Sequence, residues 1–269
     1  MMLDIRSLSL SIAVDGGPKE ILHDVTLAVG RGEAVGLVGE SGSGKSMTLR
    51  SVLRTEPRNA TVTGAITLDG VDVLSLKGEP LRQLRAHQIA MIAQNPHAVL
   101  NPVLPISRYL VEGMHDAQGL SVAAARLRAG ELLEQVGIDG VDRVLASYPH
   151  QLSGGMLQRV VIAGAIAGKP SLILADEPTT ALDVTTQAEV MAILDDCRRE
   201  LGMALLFVTH DLDLAAAVCD RINVMKDGVV VETGVPDQLR DHPAHPYTQQ
   251  LMDSRPASIM WSPSDGSGE

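Results

Sequence analysis

Gly39-Glu40-Ser41-Gly42-Ser43-Gly44-Lys45-Ser46 directly follows the apolar run Ala34-Val35-Gly36-Leu37-Val38, and the reading of this stretch decides the fold. A short continuous apolar run ending in glycine is the pattern of a strand buried on both faces. The loop after it fits G-x-x-x-x-G-K-[ST], in the strand-to-helix context that this motif requires. Glycines let backbone N–H groups wrap a phosphate, and the N-terminus of the following helix favours negative charge. Lys45 reaches the β and γ oxygens of a triphosphate, and the Ser46 hydroxyl can bind Mg²⁺. A chance match in a chain of this composition is on the order of one in two hundred before the context is counted.

Outward from this loop, Leu172–Ala175 and Ala204–Val208 are further buried-strand runs. They are separated by a helical stretch from about Thr185 to Leu201 that Gly202 ends. Alternation of strand and helix predicts a parallel sheet with crossover helices, an α/β fold. Upstream, Leu8, Leu10, Ile12 and Val14 alternate with small or polar residues. Val25, Leu27 and Val29 do the same beyond Asp15-Gly16-Gly17-Pro18, which predicts an antiparallel pair. Ala65–Leu68 ends at the turn signal Asp69-Gly70. Residues from about 78 to 150 read as a mainly helical insertion. In it Ser121 caps a helix whose inner face is Val122, Ala125, Leu132, Leu133 and Val136, with Gly137 at its end. Arg221–Lys226, Asp227-Gly228 and Val229–Glu232 predict a hairpin. The expected organisation is one unit over residues 1–250 and a mobile tail over 251–269, since the residues from Ser254 on are rich in Ser, Pro and Gly.

The chain of 269 residues carries 22 Lys and Arg against 33 Asp and Glu, a net charge of -11. That balance argues against nucleic acid as a partner, which needs clustered cations. Aromatics are 2% of the chain, so the core must be built from aliphatic side chains and Met. The two cysteines, Cys197 and Cys219, have neither disulfide-framework nor metal-site spacing and read as buried thiols. The longest apolar run, Val160–Gly168, falls short of the roughly 18 residues of a membrane span, so the chain is expected on the cytoplasmic side without crossing the bilayer.

Leu172-Ile173-Leu174-Ala175-Asp176-Glu177 supplies the second half of a nucleotide site. The strand delivers Asp176 to a Mg²⁺ shell, and Glu177 is placed to polarise an attacking water. A phosphoryl-transferring kinase would not need that extra carboxylate. In Leu152-Ser153-Gly154-Gly155-Met156, Ser153 caps a helix whose two glycines leave its N-terminus open to an anion. A second phosphate-binding helix start and a plain capped helix are both compatible with it.

With these segments in this order the sequence resembles the ATPase subunit of ATP-binding cassette (ABC) transporters, over about residues 3–250. The resemblance implies a P-loop NTPase (RecA-like) core with an antiparallel subsheet and a helical subdomain. It assigns Gly39 to Ser46 and Gln94 to ATP, with Ser46, Gln94 and Asp176 around Mg²⁺. Glu177 and His210 become the catalytic pair. Subunits of this family dimerise head to tail, so Ser153, Gly154, Gly155 and Asp183, the last in the segment Ala181-Leu182-Asp183, are implied to act on the nucleotide of the partner subunit. The implied partners are a second, like or unlike, ATPase, two membrane permease subunits and, indirectly, an extracytoplasmic substrate-binding protein, with the chain peripheral on the cytoplasmic face of the membrane. Outside the resemblance, His210 reads as a structural histidine and Gln94 as a loop residue.

Gln94-Asn95-Pro96, Leu100-Asn101-Pro102, Tyr148-Pro149-His150 and His245-Pro246-Tyr247-Thr248 resemble the peptide/opine/nickel importer branch. The wording Met156-Leu157-Gln158-Arg159, the short tail and the missing adenine-stacking aromatic lean toward nickel or metallophore importers, and without a C-terminal cysteine cluster no iron–sulfur centre is carried over. An exporter or lipoprotein-release ATPase is the alternative, because the engine is shared. A chromosome-structure ATPase would need a long coiled coil or a basic groove. His242 and His245 look like a metal pair, but the intervening prolines favour a surface turn. Many family members stack an aromatic ring on adenine near the end of the first strand. This chain has no aromatic residue before Tyr109, which leaves Ile12 or Val14 as the apolar surface.

Overall fold

The computed structural model describes residues 1–180 and 182–253, the side chains of 116–118 excepted. Strands β1 (Leu3–Val14), β2 (Gly17–Val29), β4 (Ala60–Leu68) and β5 (Val71–Asp72) form a four-stranded antiparallel sheet in the order β2-β1-β4-β5. The second sheet is six-stranded, in the order β10-β9-β3-β8-β7-β6. It contains β3 (Ala34–Val38), β6 (Ile89–Ile92), β7 (Leu172–Asp176), β8 (Ala204–Thr209), β9 (Arg221–Lys226) and β10 (Val229–Gly234). All neighbouring pairs in it are parallel except β9 with β10.

The helices in chain order are α1 (Lys45–Leu53), α2 (Gly78–His87), α3 (Pro96–Val99), α4 (Ile106–Gln118), α5 (Val122–Gln135) and α6 (Val141–Ala146). They continue with α7 (Gly154–Ala167), α8 (Val184–Leu201), α9 (Leu212–Val218), α10 (Pro236–Asp241) and α11 (Pro246–Asp253). None of the described helices is long and apolar enough to cross a membrane.

The parallel sheet is buried on both faces, as its unbroken apolar strands require. Period-two alternation divides its side chains between two cores. Val35, Leu37, Leu172, Leu174, Leu206 and Val208 pack with the antiparallel sheet and with Leu49 and Val52 of α1. Ala34, Val38, Ile173, Ala175, Leu205 and Phe207 face the core shared with α4, α5, α7 and α8. Central in that second core is α7, buried along Leu157, Val160–Ala163, Ile166 and Ala167. Its Gly164 admits the Tyr109 ring of α4, whose nearest atoms lie 2.5 Å from where a Cβ would stand.

Three expectations change. The insertion begins later than residue 78, because Ile89–Ile92 pairs in parallel with β7 and belongs to the main sheet, while Leu84 of α2 packs in the antiparallel-sheet core. A four-residue apolar run gives no periodicity by which to recognise such a strand. In α5, Ser121 accepts the predicted capping bond from the Ala124 N–H, at 3.2 Å. Val122, however, is 63% exposed, and Ala129 takes the inner position. Residues 251–253 form the last turn of α11 rather than the start of a tail, and the predicted tail from Ser254 lies outside the described residues.

The antiparallel sheet depends on one close backbone approach. A bulge interrupts the β1–β4 register between Arg6 and Ser9, and Ser7 there adopts φ 48°. Opposite it, Gly64 has φ +99°, and a Cβ on it would stand 2.3 Å from the Ser7 carbonyl oxygen. Gly70 has φ +81° with open space around it. Gly64→Ala is expected to cost about 2–4 kcal/mol by urea unfolding, strain plus overlap, whereas Gly70→Ala costs about 1–2 kcal/mol from strain alone. Equal losses would contradict this account of the bulge.

Candidate functional site

The carboxyl ends of β3, β6, β7 and β8 open onto one cavity of about 1630 Å³, which continues into a groove between α8 and α9. Ligand sites of parallel α/β sheets lie at such strand ends. Glu40, Ser41, Gly42, Gly44, Lys45 and Ser46 line it from β3, Gln94 from β6, Asp176 and Glu177 from β7, and His210 from β8. Sequence-distant residues meet here only because β3, β8 and β7 are neighbours in register, with Val38 beside Thr209 and Val208 beside Asp176.

The glycines of the loop do more than wrap an anion. A Cβ on Gly39 would stand 2.1 Å from the Met225 carbonyl oxygen of β9, and one on Gly44 (φ +108°) would stand 2.7 Å from Leu22 of β2. These two positions dock the loop against both sheets, while Gly42 (φ +84°) faces open space. Helix α1 then starts without a side-chain cap and without an acidic residue in its first turn, so its N-terminal amides are left for an anion. The buried Ser43 hydroxyl has no hydrogen-bond partner among the described residues, a further donor within the loop. These features fit a bound phosphate chain.

Lys45 is buried, and its ammonium donates to the carbonyls of Gly39 (2.6 Å) and Glu40 (2.7 Å). Burial pushes its pKa below the ordinary lysine value despite Glu177, Asp176 and Glu40 nearby. The Ser46 hydroxyl donates to Asp176 Oδ1 at 2.9 Å. Burial, with Glu177 adding to it, raises the Asp176 carboxyl above the usual range, against the opposing effect of the Ser46 hydrogen bond and Lys45. A hydroxyl and a desolvated carboxylate side by side are hard oxygen donors suited to Mg²⁺.

Glu177 sits where β7 turns away from the sheet, at φ 44°, with its N–H donated to the Val208 carbonyl at 2.9 Å. Three groups converge on its Oε2: Gln94 Nε2 at 3.3 Å, the Thr180 hydroxyl at 2.9 Å and His210 Nδ1 at 3.2 Å. The carboxylate is thus oriented by β6, β8 and its own turn. Thr180 was not foreseen from the sequence; its only signal there is its position three residues after Glu177.

Ser153, Gly154, Gly155 and Asp183 do not line this cavity. The Ser153 hydroxyl accepts the Met156 N–H at 3.3 Å, so the cap is formed. Asp183 caps α8 by accepting from the N–H (3.0 Å) and hydroxyl (2.7 Å) of Thr186, which holds its carboxyl below the usual range. The two helix starts are packed on one another: a Cβ on Gly155 would stand 2.6 Å from Thr186 Cγ2, and one on Gly154 3.3 Å from Leu182. Ala181 lies outside the described residues.

Ile21 of β2, rather than Ile12 or Val14, is the β-subsheet side chain lining the cavity. Ile12 pairs with Lys19 and Val14 with Gly17 at the hairpin end, and neither lines the cavity. Of the histidine pair, His245 accepts the Tyr247 N–H on Nδ1 at 3.1 Å and so starts α11. Both thiols are buried and raised by that burial, Cys197 to about 11.

The family model described as ABC transporter matches residues 22–180. A Brucella abortus ATP-binding protein named for peptide import is 46% identical over 95% of this chain and 77% of its own length. The oligopeptide transport ATP-binding protein of Bacillus subtilis is 39% identical over 95% of this chain and 72% of its own. Among solved structures, a dimeric ATP-binding cassette in a post-hydrolysis state bound to ADP and Pi superposes with a TM-score of 0.78. It is 30% identical, over 87% of this chain and 99% of that one. The chain belongs to the ABC transporter family, as one of its ATP-hydrolysing subunits.

Because the folded-state pKa of Asp176 lies above its unfolded value, ionising it opposes folding, fully so above the raised pKa and not at all below about pH 4. Asp176→Asn is therefore expected to raise the urea midpoint of the nucleotide-free chain at pH 7, with the gain vanishing below about pH 4. A lowered midpoint at pH 7 would contradict the burial argument. With an aliphatic Ile21 in place of a stacking ring, roughly 1–3 kcal/mol of base stacking is absent. GTP is accordingly expected to compete with ATP within tenfold in a binding titration, and a larger ATP preference would refute this.

Proposed function

We propose that the chain powers a peptide importer as one ATPase of a head-to-tail pair. It would dock at the cytoplasmic face of the membrane on two permease subunits served by an extracytoplasmic binding protein. The observation that carries this reading is a division of the site. Glu40–Gly42, Gly44–Ser46, Gln94, Asp176, Glu177 and His210 surround one cavity, while Ser153–Gly155 and Asp183 lie outside it on packed helix starts. A second subunit would complete the pocket. The names of the relatives support import of peptides over export, and over the nickel cargo toward which Met156–Arg159 leaned.

In this reading the loop amides and the α1 N-terminus bind the phosphates, and Lys45 exchanges its carbonyl partners for phosphate oxygens. Ser46 and Asp176, with Gln94, would hold Mg²⁺, which when bound neutralises charge on the β and γ oxygens. Glu177 orients and polarises the attacking water, held in place by Gln94, Thr180 and His210. His210 is 56% exposed at the cavity mouth, positioned to meet the terminal phosphate as well as Glu177. Most of the catalysis is positioning and charge stabilisation.

Glu177→Gln keeps the hydrogen-bonded shape but removes the base. It is expected to bind ATP with near-normal affinity, lose turnover by roughly 10²–10⁴-fold, and elute as a dimer with ATP. Steady-state hydrolysis near the normal rate in that variant would overturn the role.

A further inference from the structure

His245-Pro246-Tyr247-Thr248 stands far from the nucleotide motifs in the chain and has no part in the chemistry above. In the structure it reaches the phosphate loop. The Glu40 N–H donates to the Tyr247 hydroxyl at 3.0 Å, across 207 positions of sequence. The carbonyl of the same peptide unit, that of Gly39, accepts from Lys45 at 2.6 Å. One peptide plane is therefore gripped at both ends, by a phenol at its N–H and by the phosphate-seeking ammonium at its C=O.

The phenol is itself firmly placed. Tyr247 is 3% exposed, and its ring lies beneath the Lys226 ammonium at 4.7 Å from the centroid. The start of α11 is tied to β10, where Glu232 accepts the N–H groups of Ala244 (2.8 Å) and His245 (3.0 Å). Gln249 Nε2 donates back to the Pro243 carbonyl at 3.0 Å. The Gly39–Glu40 peptide cannot relax by sliding on its support, because the Met225 carbonyl fills the space behind Gly39.

We propose that Tyr247 is a positioning residue for nucleotide binding: its hydroxyl fixes the Gly39–Glu40 peptide, and with it the open shape of the phosphate loop and the resting place of Lys45. When Lys45 leaves the Gly39 carbonyl for a phosphate, the Tyr247 bond is what keeps that peptide from turning. Without it the loop must be ordered by the ligand, which costs affinity. Glu177, Gln94 and His210 share no hydrogen bond or ion pair with Tyr247, so turnover once bound is left alone. This inference rests on reading Gly39–Ser46 as the nucleotide loop.

The test is Tyr247→Phe in the full chain, with ATP titrated at equilibrium, KM and kcat measured, and exchange of the Glu40 amide followed. The expected result is a rise in Kd and KM of roughly three- to tenfold, the loss of one net hydrogen bond, with kcat within about twofold and faster Glu40 exchange. Gln249→Ala, which loosens the same segment without touching Glu40, is expected to keep normal affinity. An unchanged Kd in Tyr247→Phe, or an equal loss in Gln249→Ala, overturns the proposal. Should Tyr247→Phe not fold, the unmodified chain decides: slow Glu40 exchange relative to the exposed Ser41 amide supports the bond, and equal exchange overturns it. Absence of saturable ATP binding by the unmodified chain, or its retention in Lys45→Ala, would instead overturn the reading of the loop.

Discussion

The Lys45 ammonium is buried beside Asp176 and Glu177 with main-chain carbonyls as its hydrogen-bond partners, and much of the molecule is arranged around that condition. A desolvated cation facing carboxylates whose own desolvation is unfavourable makes a pocket poised for a phosphate chain accompanied by a divalent cation. The condition holds only if β3 ends in the middle of the sheet. There β8 and β9 flank it, and the loop can lean on Met225 on one side and Leu22 on the other.

The same arrangement explains how remote parts of the chain act on the loop. Gln94 and His210, at the ends of the strands on either side of β7, converge on one oxygen of the Glu177 carboxylate, so any shift of β6 or β8 is felt at Glu177. On the opposite flank, α11 touches the loop through Tyr247. The helical insertion hangs from the sheet through α7, whose N-terminal glycines rest on the start of α8. Ser153–Gly155 and the Asp183 turn are therefore in direct contact, with no room for a side chain at Gly155.

Long apolar strands, glycine-bounded loops and capped helix starts were legible in the chain, because each follows from local pattern. The hairpin of β1 and β2, the strands around residues 34–38, 172–176 and 204–209, the Ser121 and Ser153 caps and the end of α8 at Gly202 all lie where residue periodicity and cap chemistry place them. Strand β6 was hidden within the helical insertion, since four apolar residues carry no period. Helical spacing places Val122 inward because spacing alone cannot say where the supporting core ends.

Sequence by itself determined which residues could do phosphate chemistry: a lysine after glycines, a carboxylate pair after an apolar strand, a serine before two glycines. Those are properties of side-chain type and local backbone, and they survive without knowledge of neighbours. Tertiary structure alone decided that Ile21 rather than Ile12 lines the cavity, that Thr180 steadies Glu177, and that Tyr247 holds Glu40. It also decided that Ser153–Gly155 lie outside the cavity lined by their own chain's phosphate loop. Each of these depends on strand order and register, which bring together residues separated by up to 207 positions, and no local pattern encodes a contact over that separation.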